Sequence, residues 1–376
     1  MSDPSPSASV SADAAPQDGE LRVEFSAEEL LAHPRVEAPL VANGVRCHGG
    51  FDEDGRYRSP RTLHRTPAIR AWQARLVADG HEVLSIDPAQ IPPQFPNARQ
   101  AVLLAGEGVR DPIVRALTII SIVEGFGAII RDVKVPDLAS VVVEPLDGTA
   151  LAHLRSGLFE AHARDEAGHR DEGGHKQMWE AARDLAFENP RIPPDVLMRM
   201  MGRRPGRRSG DRLFPELDPD LERMLTIMAQ VLVVEVFAES TFEWGKTILS
   251  DPRVSADPEG ASAMVSYIQS DEKPHVGYLQ TALSEIRARS LRRVDGGVVP
   301  GRDVVDGLLH RMLRQLTRQR VEEQRKEARE DLAAAARAAG RGDSLMEEFD
   351  ALASSWSPPE RTGFERPGSG SPARAS

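Results

Sequence analysis

Apolar residues along this chain recur mostly at helical spacing, in four long segments separated by breaks rich in proline, glycine and charge. Asp111 and Pro112 open the first, with Asp as N-cap and Pro at the first helical position. It runs to about residue 131 and is apolar almost all round, so it is expected to be buried. The second spans roughly 149–187. The third opens at Asp218 and Pro219 and extends to about 249, with an apolar stripe of Leu221, Met224, Leu225, Met228, Val231, Leu232 and Phe242. The fourth, about 260–289, contains Pro274, which removes a backbone donor and predicts a kink. Upstream the pattern is broken: a short helix at 27–31, a turn-rich stretch through 49–55, a helix opening at Thr66 and Pro67, and a proline-rich irregular segment at 87–96. Val141, Val142 and Val143 read as a short extended piece. Residues 294–300 read as a turn, and 301–354 as amphipathic, Arg/Glu-rich helices suited to a flap or an oligomer contact. The polar residues 1–20 and 355–376 read as a disordered leader and tail. The expectation is an all-α fold, with one helical domain over 21–300 followed by the C-terminal helices.

Several charges fall where this pattern wants apolar side chains. Glu124 sits in the middle of the first segment, and a carboxylate there needs a partner or must stay protonated. Glu235 and Glu239 interrupt the apolar stripe of the third, one turn apart. Glu235, flanked by Val233, Val234, Val236 and Phe237, is the better ligand candidate; Glu239 is a second ligand or a proton-handling neighbour, and Glu243 is structural. The other two segments carry Glu and His three residues apart, a spacing that places both on one helix face where they can ligate one metal. The fourth segment contains Asp271-Glu272-Lys273-Pro274-His275. The second contains two copies in succession, Asp165-Glu166-Ala167-Gly168-His169 and Asp171-Glu172-Gly173-Gly174-His175. Six residues are not a whole number of turns, so the two copies cannot face one centre on a regular helix. The reading favours Glu166 and His169, because His162 adds a third ligand on their face, with Glu172 and His175 as the alternative. Asp165 and Asp271, each preceding a Glu, are candidate acceptors for the N–H groups of ligand histidines.

Composition narrows the chemistry. Cys47 is the only cysteine, so thiolate clusters and intrachain disulfides are excluded, and any metal must be held by carboxylates and imidazoles. A net charge of −11 argues against a general nucleic-acid binder. The basic run at 203–208 reads as a solvated loop, and Tyr267 and Tyr278 as packing residues. His48, His64 and His81 have no partner at ligand spacing and read as surface or packing residues. No segment reads as a membrane span or a signal peptide, which makes cytoplasmic the default.

A Glu from each of two helices and a Glu-x-x-His from each of two others is the ligand inventory of di-iron and di-manganese carboxylate bundles. Over roughly residues 110–290 the chain resembles the ferritin-like di-iron carboxylate superfamily. The motif ending at His169 resembles that of the catalytic subunits of phenylacetyl-CoA epoxidases, and the one ending at His275 that of soluble acyl-carrier-protein desaturases. An extra histidine, as in His-x-x-x-Glu-x-x-His, also occurs in arylamine N-oxygenases of the superfamily; there it lies on the helix of the second motif, whereas His162 lies on that of the first. The duplicated motif and Pro274 are departures from the superfamily pattern. The resemblance implies a ferritin-like four-helix bundle with extra N- and C-terminal helices, holding two iron ions, with manganese as the alternative. It implies that Glu166 and Glu272 bridge, that Glu124 and Glu235 bridge or cap, and that His169 and His275 each fix one metal. It further implies O2-dependent hydroxylation, N-oxygenation or desaturation of a small or carrier-bound substrate. Electrons would come from a separate reductase or ferredoxin, since no flavin, dinucleotide or cysteine-cluster motif is present. Membrane and nucleic acid are not among the expected partners, and a homodimer remains open. The competing readings are a ferritin-like metal-binding protein without organic substrate and a helical scaffold.

Overall fold

A computed structural model describes residues 21–87, 90–192, 212–317 and 321–353. The basic run at 203–208, the leader 1–20 and the tail 355–376 lie outside them. The described chain is mostly helical, in line with the periodicity. The N-terminal part contains α1 (Ala27–Leu30), a three-stranded antiparallel sheet of β1 (Ala38–Ala42), β2 (Val45–Phe51) and β3 (Tyr57–Arg58), then α2 (Arg65–Ala78) and α3 (Ala98–Gly106). The sheet replaces the stretch expected to be only turns. Next come α4 (Asp111–Gly127), continuing as a tighter turn over Ala128–Asp132, and α5 (Leu138–Val141); of the expected extended piece Val141 is helical, while Val142 is extended and bridges Leu291.

The segment at 149–187 is not one helix. Irregular helical turns over Ala150–His153 and Leu154–Leu158 lead into α6 (Phe159–Ala167), a loop follows, and α7 (His175–Phe187) begins anew. Gly168 ends α6 with φ at 82°, a conformation glycine adopts without steric cost. Beyond it lie α8 (Pro219–Leu249), capped by Asp218 through the N–H groups of Asp220 and Leu221, then α9 (Pro258–Asp271) and α10 (Lys273–Arg287). The break between α9 and α10 falls where Pro274 predicted one: the amide of His275 bonds only the carbonyl of Glu272, three residues back. A hairpin of β4 (Ser290–Arg292) and β5 (Val298–Pro300) frames the expected turn, and α11 (Gly301–Thr317), α12 (Val321–Ala338) and α13 (Asp343–Ala351) follow as the last elements among the described residues. Leu332, Leu345, Met346 and Phe349 of the last two pack on Leu104 and Val109, so these helices fold back onto the body.

Helix α4 packs against α6 and α7, α7 against α9, and α8 against α9, α10 and α11. The buried apolar side chains fall into two main cores, and the long helices pass from one to the other. On α8, Leu221 to Val233 belong to the first core and Phe242 to Leu249 to the second, with Glu235 between. On α4, Ile113 and Leu117 lie in the second core and Ile130 in the first, with Glu124 between. Ile268 of α9 and Tyr278 of α10 likewise flank Glu272 and His275. The charges that interrupt the apolar stripes therefore form one polar layer between two cores. Asp111–Asp132 and Pro219–Leu249 are long and apolar enough to cross a membrane by length and composition alone, a test that core helices of soluble proteins also pass.

Candidate metal centre

The polar layer is assembled from α4, α6, α7, α8 and the α9–α10 junction. His162, Asp165, Glu166, His175, Glu235, Asp271, Glu272 and His275 are all buried there, and Glu124 is half-buried beside Trp179. His162, Glu166, Glu235 and His275 present donor atoms within 4.8 Å of one another, as do Glu166, His175, Glu272 and His275. Both groups could hold a metal ion. Glu124 closes the His175 side: its carboxyl lies against Glu166, Glu272 and His175 and accepts a hydrogen bond from Trp179 Nε1 at 3.1 Å. Gly127 permits this closeness, since a Cβ there would stand 2.7 Å from Glu166 Cγ.

Each histidine turns one ring nitrogen to the centre and the other outward. His275 Nδ1 is 2.7 Å from Glu272 Oε2 and 3.1 Å from Glu166 Oε1, while its Nε2–H donates to Asp165 Oδ2 at 3.0 Å. His175 Nδ1 is 2.7 Å from Glu272 Oε1 and 3.2 Å from Glu166 Oε1, and its Nε2 faces Asp271 Oδ2 at 3.7 Å. Glu166 and Glu272 thus each lie between both histidines. His162 stacks on His275 at 4.0 Å between ring centroids; its Nδ1 meets the Tyr278 hydroxyl at 3.3 Å, and its Nε2, without a hydrogen-bond partner, points towards Glu235 Oε1 at 3.4 Å.

The second-segment assignment needs correction. His169 is not at the centre: with Glu172 it forms a tight turn whose two amides bond each other's carbonyls. Glu172 faces outward and pairs with Arg46 at 3.2 Å. The centre takes Glu166 from the first copy of the duplication and His175 from the second. The loop between them reverses the register that a regular helix would have imposed. Glu239, offered as a second ligand, is exposed and accepts from Gln269 Nε2 at 2.7 Å.

The two aspartates work crosswise. Asp165, next to Glu166, holds His275, whereas Asp271, next to Glu272, faces His175. Residues that spacing could not reveal fix both. Arg61 and Arg65, buried and bonded to the two oxygens of Asp165, come from the start of α2 and the loop before it. His48 and Tyr57 bond Asp271 Oδ2 at 3.1 and 2.8 Å. His48 is therefore not a surface or packing histidine. It reaches the centre because β2 docks on the loop after α6, with His48 N–H donating to the Gly173 carbonyl at 2.8 Å.

The electrostatics follow from crowding carboxylates in a buried layer. Burial, reinforced by Glu166 and Glu272, holds the Glu124 carboxyl well above the usual range, and burial with Glu272 and Glu166 does the same to Glu235. Burial opposes charge on His175 and His275 as well, but the facing carboxylates outweigh it and hold both imidazoles protonated well above the ordinary histidine value. His162 goes the other way, to about 3, from burial and the neighbouring charge of His275. Against its burial, Arg65 and Arg61 hold Asp165 well below the carboxylate range.

A cleft of about 800 Å³ opens onto this layer, with Glu235 and Glu272 among its lining residues. No family model, no curated protein and no solved structure matches the chain.

Proposed function

We propose that this protein is a ferritin-like di-metal carboxylate oxidoreductase that uses O2 on an organic substrate. The observation that supports it most is the donor set itself: four glutamates and two or three histidines turning oxygen and nitrogen atoms to one buried centre. A buried carboxylate group this dense is costly without compensating cations. His162 Nε2 is buried without a hydrogen-bond partner, as expected of an atom reserved for a metal. Carboxylates with imidazole suit iron, and also manganese.

In this reading Glu166 and Glu272, each between His175 and His275, would help hold both ions. His175 and Glu124 would complete one subsite, and His275, Glu235 and His162 the other. Two iron ions there would supply the redox chemistry with O2, reduced by an external reductase or ferredoxin. The chain's own residues do the rest. Asp165, bonded to His275 Nε2, sets which nitrogen of that histidine faces inward, and the cleft admits the substrate beside Glu235 and Glu272. Tyr278 can donate its hydroxyl proton to His162 Nδ1 or accept one from it, which fixes whether His162 Nε2 presents a lone pair inward.

A metal-handling protein without organic substrate would share the donor set, but it would not need the cleft. Iron reconstitution should give about two metal ions per chain. After anaerobic reduction, the protein should consume O2, faster in the presence of a substrate that fits the cleft. A chain that binds less than about one ion would sink both metal readings. One that binds two but reacts with O2 independently of any organic molecule would favour metal handling.

A further inference from the structure

The cleft beside the metal centre has walls of unlike character. Ile69 of α2, Val236 and Phe242 of α8, and Pro274 of α10 give it apolar sides that lead down to Glu235 and Glu272. On the side formed by α2 and α10 stand two exposed cations, Arg70 and Lys273, neither in an ion pair among the described residues. Their two helices are tied together beside them by Gln73, which donates to the Gly277 carbonyl at 3.4 Å. On the α8 side stands one further carboxylate, Glu239, already hydrogen-bonded by Gln269. An anion entering the cleft is attracted to one wall and repelled from the other, so it has one favoured orientation. The volume lies in the usual range of small-molecule sites, about 300–1,000 Å³.

We propose that this cleft takes an organic anion, a small molecule whose carboxylate or phosphate is held by Arg70 and Lys273 while its apolar body lies along Ile69, Val236 and Phe242 towards Glu235 and Glu272. The assignment rests on the di-metal reading for its chemistry, but not for its binding. Arg70 can take either anion through a planar two-point contact, whereas Lys273 contributes a point charge.

The test is calorimetric titration of the full chain, zinc-loaded and metal-free, with octanoate, octyl phosphate and octan-1-ol. Both anions should bind at least about tenfold more tightly than the alcohol, with the preference falling as salt is raised. The tighter of the two names the headgroup. In Arg70→Gln/Lys273→Gln the preference should collapse while octan-1-ol binding stays as it was, and Arg70→Lys should keep part of it. Octan-1-ol binding as tightly as the anions, or a preference that survives the double substitution, would overturn the proposal. Metal stoichiometry is measured separately on the same samples. Two bound ions without anion preference removes this assignment alone; anion preference in a chain that binds no metal removes the di-metal reading and leaves the anion site.

Discussion

At the scale of single residues, the duplicated motif is where expectation and structure part. Glu124 and Glu235 were legible because a carboxylate on an apolar face demands compensation, and Glu166 and Glu272 because each opens a Glu-x-x-His spacing. His175 lost to His169 because the segment was read as one regular helix, on which His162 shares the face of Glu166 and His169. Gly168, Gly173 and Gly174 were the available sign that it is not. His175→Ala should therefore lower iron content by about half or more, and His169→Ala should leave it unchanged; elemental analysis after reconstitution decides. Asp165 allows a test that needs no metal. Replacing it with Asn leaves Arg61 and Arg65 buried without a countercharge, at a cost of about 3–5 kcal/mol. Urea denaturation of the metal-free variant measures it. Arg61, Arg65, His48 and Tyr57 were beyond sequence reading, since each acts on an aspartate a hundred or more positions away and no spacing rule spans such a contact.

At the scale of elements, helix starts were well marked by local chemistry. Pro67, Pro112, Asp218 with Pro219, and the break at Pro274 each fall at or beside a helix terminus or interruption. The N-terminal sheet was not foreseen, because β1 and β3 are short and only partly buried, so their side chains alternate weakly. The loop between α6 and α7 decides the site. A Cβ on Gly174 would stand 2.3 Å from the Asp165 carbonyl oxygen and 2.4 Å from Gly168 N, both backbone atoms that cannot step aside. Gly174→Ala should cost about 1–3 kcal/mol and displace His175. Thermal denaturation and metal titration of the variant would show both effects, and a stable variant with full metal content would refute the packing argument.

At the scale of the whole molecule, the polar layer sits between two apolar cores and carries protons that a metal must displace. Facing carboxylates hold His175 and His275 protonated above the ordinary histidine value, and burial holds Glu124 and Glu235 protonated above the ordinary carboxylate value. Ligation needs all four deprotonated, so metal binding should release protons and affinity should rise with pH across the neutral range. Calorimetry in buffers of different ionisation enthalpy counts the protons. An affinity that does not vary with pH would mean that these groups are not the ligands.

The crosswise aspartates carry a last consequence. Each Asp-Glu pair gives its glutamate to the shared centre and its aspartate to the histidine of the opposite helix pair. Damage to either half should then impair metal loading at the other, and lesions in the two halves should mask each other. Asp165→Asn and Asp271→Asn should each weaken loading of both ions. Combined, they should cost measurably less than the sum of the two, a coupling that a double-mutant cycle on metal affinity reads directly. Two independent subsites would give simple addition instead.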